Sequence, residues 1–296
     1  MSAIGFEALQ AKGWWSAHRW LLLRRLSQVL VLALFLAGPL LGVWVVKGNL
    51  NHSLTLGVLP MTDPLVFLQS LAAGHAPERN ALTGFAVVVV LYLLAGGRAY
   101  CAWVCPVNPV TDAAAWLRRR IGIKGSAHIS RAARYWILAM TLVLAAVTGG
   151  IAWELINPVS MAHRGLIFGM GAGWLVILAV FLFDLFVMQR GWCGHLCPVG
   201  ACYSAIGRAS LLRVSAVRRA DCNNCMDCFA VCPEPHVLRR PLKGGDKGAG
   251  PVVLSPNCSN CGRCIDVCSK QVFAWTTRFS NPVVPMAGAP TAPKQT

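Results

Sequence analysis

Two runs of cysteine near the C-terminus hold the densest reactive chemistry in the chain. Residues 222–232 read Cys222-x2-Cys225-x2-Cys228-x3-Cys232-Pro233, and residues 258–268 repeat the spacing as Cys258-x2-Cys261-x2-Cys264-x3-Cys268. A Cys-x-x-Cys turn aims its thiolates at one centre, and sets of four thiolates suit iron or zinc. This particular spacing is that of a 4Fe–4S half-motif, and where two such runs occur the fourth cysteine of each ligates the other cluster. The expected sets are Cys222, Cys225, Cys228 and Cys268 for cluster one, and Cys232, Cys258, Cys261 and Cys264 for cluster two. A zinc site needs four ligands and no crossed fourth cysteine, so two iron–sulfur clusters are the expectation. Ser269 stands where the pattern prefers proline. That position shapes the turn and ligates nothing.

Four more cysteines form a second, looser pattern. Arg98-Ala99-Tyr100-Cys101-Ala102-Trp103-Val104-Cys105-Pro106-Val107 matches Arg190-Gly191-Trp192-Cys193-Gly194-His195-Leu196-Cys197-Pro198-Val199. Each copy closes an apolar run, so this part of the chain reads as a duplication of a helix pair, with the proline ending the helix. Related by a pseudo-two-fold axis, Cys101, Cys105, Cys193 and Cys197 would converge. Three readings stand open for them: thiols without a cofactor, a shared metal or further cluster, and disulfides. Cys202, the thirteenth cysteine, is read as a packing residue.

The elements that must position these groups follow from composition. The chain has 296 residues, 56% hydrophobic and 13% charged, which is too apolar for an ordinary soluble protein. Four stretches, 26–46, 81–100, 135–156 and 166–188, meet the roughly 20 mostly apolar residues that a membrane helix needs. The aromatic, basic segment with Trp14, Trp15, Arg19 and Trp20 leads straight into the first of them, without the small-residue cleavage site of a signal peptide. Lys and Arg number 4 in residues 1–25, 7 in 98–134 and 13 from 190 onward, but only 2 in 47–80 and 1 in 157–165. The positive-inside rule then puts both termini and the cysteine-rich part in the cytoplasm of a multi-pass inner-membrane protein. The formal charge of +16 is therefore topological, and no nucleic-acid partner is expected. The resulting architecture is an N-terminal cytoplasmic segment (1–25), a four-span α-helical membrane domain (26–210), an α+β two-cluster ferredoxin-like domain (211–280) and a disordered tail (281–296).

A quinol-handling membrane protein needs polar groups that bind the headgroup and move protons. Asp184, inside the fourth span, is a candidate for that work, with helix packing as the alternative. Glu154, at the outer end of the third span, is a second candidate, read otherwise as a solvated interfacial acid. His195 is a third, with a polar interfacial histidine as the plainer reading. Its counterpart in the first repeat is Trp103 or Val104, neither of which ligates metal. The stretch from Lys47 to Glu78, with Asp63-Pro64 and His75, reads either as a docking loop or as a connector.

Taken together these features resemble the NapH family, membrane ferredoxin-type subunits of the periplasmic nitrate reductase system. The resemblance is carried by Gly13-Trp14-Trp15, Arg19-Trp20, Thr62-Asp63-Pro64-Leu65, Leu68-Gln69-Ser70-Leu71, both Cys-x3-Cys-Pro motifs, and Cys225-Met226-Asp227-Cys228 leading to Cys232-Pro233-Glu234-Pro235-His236. It implies a subunit of a quinol dehydrogenase. Electrons would leave quinol and pass, with a NapG-like periplasmic ferredoxin, toward a NapC-like tetrahaem cytochrome or the nitrate reductase itself. The alternative is a redox assembly or maturation factor that supplies electrons to a metal or cofactor of another respiratory enzyme. Cytoplasmic clusters and a periplasmic acceptor do not lie on one simple path. Either electrons cross through the membrane repeat or the clusters serve a second task.

Overall fold

A computed structural model describes residues 4–123, 125–169, 171, 173–245 and 248–280. The expected disordered tail, 281–296, lies outside the described residues. Two compact units emerge: a helical unit from Arg24 to Ser210, and a cysteine-rich unit that combines the residues up to Leu23 with those from Leu211 onward. The N-terminal segment, expected as an element of its own over 1–25, thus belongs with the cysteine-rich unit.

The first helix, α1 (Phe6–Leu41), contributes to both units and carries Pro39 near its end. It is the one helix among the described residues that is both long and apolar enough to cross a membrane. In the helical unit a three-stranded antiparallel sheet follows, β1 (Val46–Gly48), β2 (His52–Thr55) and β3 (Leu59–Thr62). Next come α2 (Pro64–Ala72), α3 (Arg79–Ala95), α4 (Ala99–Trp103), α5 (Val107–Ile121) and α6 (Ala133–Thr148). The unit ends with α7 (Pro158–Phe168), α8 (Gly173–Leu182), two π turns (Phe183–Val187 and Trp192–Leu196) and α9 (Pro198–Gly207). Between β3 and α2, Asp63 caps the helix by accepting the Leu65 and Val66 N–H groups while Pro64 opens it. The segment 47–80 is therefore ordered structure with buried Leu65 and Gln69, rather than a plain connector.

The expected spans shift at their ends. The second gives α3, which stops at Ala95 because Gly96 and Gly97 break it before α4. The third gives α6, ended by left-handed Gly149, so Glu154 sits in a separate 3-10 turn (Ala152–Leu155). The fourth straddles the end of α7 and the whole of α8. The duplication is visible in the order of parts: an apolar helix, a break, a short turn bearing Cys-x3-Cys, then a helix begun at proline. Pro106 and Pro198 open α5 and α9. They end one element and start the next, because a first-turn N–H has no intrahelical partner to lose. Gly97 is required by proximity: a Cβ there would lie 2.2 Å from both the Gly207 nitrogen and the Tyr203 carbonyl oxygen.

The cysteine-rich unit has a two-stranded antiparallel sheet, β4 (Leu212–Ser215) with β5 (Ala274–Thr277), in the register Val214 opposite Trp275. Three short helices complete it, α10 (Asp227–Val231), α11 (His236–Lys243) and α12 (Arg263–Asp266). Its core is Val214, Val237, Leu238, Val253, Val272 and Phe273 around the cysteines. The start of α1 binds to this body. Lys12 Nζ donates to the Ile265 carbonyl at 2.6 Å, the Asp266 carboxylate accepts the Trp20 and Leu21 N–H groups at 3.1 and 2.9 Å, and Trp20 meets Trp275 edge-on at 5.1 Å.

Two consequences are measurable. Gly97→Ala should lower stability by about 1–3 kcal/mol, the usual cost of overpacking, read as a fall in the thermal midpoint of the detergent-solubilised protein; an unchanged midpoint would refute the close approach. Asp266→Ala should remove the carboxylate that accepts the Trp20 and Leu21 N–H groups, at about 1–3 kcal/mol. Hydrogen exchange at Trp20 and Leu21 should then rise by tenfold or more, and unchanged protection would contradict the contact.

Candidate functional site

Backbone geometry explains how the two cysteine runs curl. Asn224 and Met226 have φ of 58° and 67°, and Asn260 and Gly262 have 46° and 71°. The left-handed residues thus occur at the same two positions of each Cys-x2-Cys-x2-Cys run, and Asn and Gly are the residues that accept this region most readily. Each run folds back on itself and turns its thiols inward.

The result is two cavities. One is lined by Cys222, Cys225, Cys228 and Cys268. The other is lined by Cys232, Cys258, Cys261 and Cys264. The last cysteine of each run stands with the first three of the other. Burial, followed by the neighbouring thiols Cys268, Cys222 and Cys225, pushes the Cys228 thiol up to about 12. Cys264 is likewise raised well above the ordinary thiol value by burial and its cysteine neighbours. Such crowding disfavours four bare thiolates and favours a polynuclear cation among them. The donor set fits an iron–sulfur cluster in each cavity.

A third set of cysteines meets in the helical unit. Cys101, Cys105, Cys193 and Cys197 line one cavity, together with Tyr100, Trp192 and Gly200. The convergence expected from the repeat is present, and all thirteen cysteines are free thiols, so no disulfide links them. Buried Arg98 joins the two copies: it precedes the first Cys-x3-Cys turn and its guanidinium donates to the Cys193 carbonyl of the second at 2.8 Å. Arg134, fully buried, donates to the Gly194 carbonyl at 3.2 Å. Cys202 packs in the surrounding apolar core, as its reading as a packing residue anticipated.

The three acid–base candidates do not meet at one site. Asp184 is fully buried and its carboxylate accepts the Trp192 N–H at 2.9 Å, bracing the second Cys-x3-Cys turn. His195 is 8% exposed and is absent from the lining of the four-cysteine cavity. Glu154 is half-buried rather than freely solvated. It accepts from Asn51 Nδ2 at 2.6 Å, Asn157 Nδ2 at 2.8 Å and Ser160 Oγ at 2.6 Å.

Sequence reading missed several positioning groups. Asp63 accepts from the Tyr203 hydroxyl at 3.0 Å, and burial pushes its carboxyl up to about 6. Tyr203 in turn stacks on Tyr100 at 4.8 Å, beside the four-cysteine cavity. Asp followed by Pro is itself a helix-start signal. Asp112 receives Arg24, Arg25 and Arg190, the first at 3.8 Å and the last at 3.5 Å. No local pattern marks that cluster, because its members are far apart in the chain.

Comparison with known proteins agrees with this layout. A family model described as "4Fe-4S binding domain" matches residues 80–124 and 168–216, one match per repeat, and one described as "4Fe-4S dicluster domain" matches 214–269. The ferredoxin-type protein NapH of Escherichia coli is 55% identical over 94% of this chain and 96% of its own length. NapH of Haemophilus influenzae is 51% identical with the same coverage. The methylamine utilization ferredoxin-type protein MauN of Methylorubrum extorquens is 53% identical, again over 94% and 96%. No solved structure matches. With half or more of its residues shared over nearly its whole length, the chain belongs to the NapH and MauN family of ferredoxin-type electron-transfer proteins.

Proposed function

We propose that the protein is the electron-transfer subunit of a quinol dehydrogenase in the bacterial inner membrane, passing electrons from quinol toward a periplasmic nitrate reductase. The observation that carries this reading is the pair of four-cysteine cavities, each walled by three thiols of one run and the fourth of the other. On this reading Cys222, Cys225, Cys228 and Cys268 ligate one 4Fe–4S cluster, and Cys232, Cys258, Cys261 and Cys264 the second. Oxidation of one quinol to quinone releases two electrons and two protons. A 4Fe–4S cluster is a one-electron carrier, so two of them can accept both electrons. Of the three groups considered for the protons, Glu154 keeps solvent access whereas Asp184 and His195 are buried, which favours Glu154.

Four membrane spans with both termini inside are part of the same proposal. Three apolar helices, Arg79–Ala95, Ala133–Thr148 and Gly173–Val187, accompany α1. Each exposes large apolar side chains, among them Leu94, Trp136, Val147 and Leu175, as lipid-facing helices do. At 1.5 Å per residue they cover roughly 22–26 Å, short of a 30 Å hydrocarbon core, a mismatch that local thinning and interfacial tryptophans accommodate. The excess of Lys and Arg in 98–134 and beyond 190 supports the inside orientation. A NapG-like ferredoxin and a NapC-like cytochrome or the reductase would take the electrons outside.

The similarity to a methylamine utilization protein favours a second reading, in which the same carrier supplies electrons for the maturation of another enzyme. Adding a reduced quinol analogue to anaerobic membranes should produce the EPR signal of reduced 4Fe–4S clusters. Clusters that stay oxidised, with outward electron flow surviving Cys225→Ala, would remove the quinol reading. That variant should also lose about four iron atoms per chain, the content of one cluster, and undiminished iron would contradict the ligand assignment. For topology, a reporter active only after export should work when fused at Asn49 and be silent after Thr296; activity at the second position would reverse the orientation.

A further inference from the structure

We infer that Cys101, Cys105, Cys193 and Cys197 hold a third iron–sulfur cluster, of 4Fe–4S size, inside the helical unit. Three observations converge on it. First, the two Cys-x3-Cys copies, 92 positions apart in the chain, bring all four thiols to the wall of a single cavity. In size it matches the two four-cysteine cavities of the cysteine-rich unit.

Second, the donor set is thiol alone. The rest of the wall is aromatic, aliphatic or amide, including Tyr100, Trp192, Val107 and Asn157, with no carboxylate and no imidazole. Pure thiolate sites select soft metals and iron–sulfur clusters.

Third, positive charge is built in where a cluster would need it. A 4Fe–4S core in its oxidised form, with charge of about +2, and four thiolates together carry about two negative charges. A charge pair of that size inside an apolar unit is tolerated only when neutralised and hydrogen-bonded. The guanidinium of Arg98, 3% exposed, donates to the Cys193 carbonyl, and its charge favours the Cys101 thiolate. Arg134, fully buried, bonds the Gly194 carbonyl next to it. Two buried cations are therefore bonded to the backbone of the second Cys-x3-Cys turn. A centre here would give electrons a station within the helical unit, apart from the two clusters of the cysteine-rich unit.

The full chain, purified anaerobically in detergent, tests this by its iron, acid-labile sulfide and zinc content and by Mössbauer spectroscopy. The expected content is about twelve iron and twelve sulfide per chain, three cubane clusters. Cys193→Ala should lose about four of each, and Cys202→Ala none. Cys225→Ala loses its iron from the cysteine-rich unit independently, so failure of one assignment is distinguishable from failure of the other. About eight iron in the wild type, unchanged by Cys193→Ala, would overturn the inference. So would one zinc per chain that disappears in that variant. Should Cys193→Ala fail to accumulate, Cys101→Ser and the wild-type Mössbauer count decide it, two clusters instead of three being the refuting result.

Discussion

Thiols buried side by side in apolar surroundings resist ionisation, because each negative charge would be desolvated and would face its neighbours at short range. Three times in this chain, four cysteines are brought to one cavity, and the fold around each set is intelligible as the means of gathering them. The core of the cysteine-rich unit is small, a two-stranded sheet and three short helices. A body of that size buries little apolar surface. Metal–thiolate bonds contribute folding free energy where the hydrophobic core is slight, so the cysteines hold the unit together as much as they serve electron transfer.

The second support is the start of α1. Instead of ending in solvent, it lays Lys12 and Trp20 along the second cysteine run and receives the Asp266 carboxylate. Gly262 shows how close the approach is: a Cβ there would stand 2.6 Å from the Trp20 ring. Left-handed backbone and ring contact thus demand the same residue at that position, for separate reasons. The symmetric position in the first run is Met226, where no tryptophan presses.

In the helical unit the constraint is the close meeting of the two repeats. Gly97 lets the break after α3 lie against the end of α9, and Arg98, the next residue, reaches across to the Cys193 carbonyl. The second copy is held by Asp184 at the Trp192 N–H and by Arg190 at Asp112. An acid inside an apolar helix invites a proton-handling role. Asp184 also fixes the second Cys-x3-Cys turn, by accepting the Trp192 N–H.

How much was legible beforehand depends on whether a feature is local. The Cys-x2-Cys-x2-Cys-x3-Cys spacing, the Arg-x2-Cys-x3-Cys-Pro repeat, the apolar runs and the asymmetry of Lys and Arg are all properties of neighbouring residues, and the sequence alone determined them, along with the family they resemble. Helix ends were misjudged because hydropathy continues past Ala95 and Thr148 while the backbone does not: Gly96 and Gly149 interrupt it at no cost in apolarity. Only the tertiary structure decided that Cys268 stands beside Cys222, that Cys101 meets Cys193 across one cavity, and that residues up to Leu23 belong with those from Leu211 onward. These pairings join segments tens to hundreds of residues apart. Nothing in a local pattern records which distant backbone will supply the missing thiol, the counter-charge or the hydrogen bond; packing does.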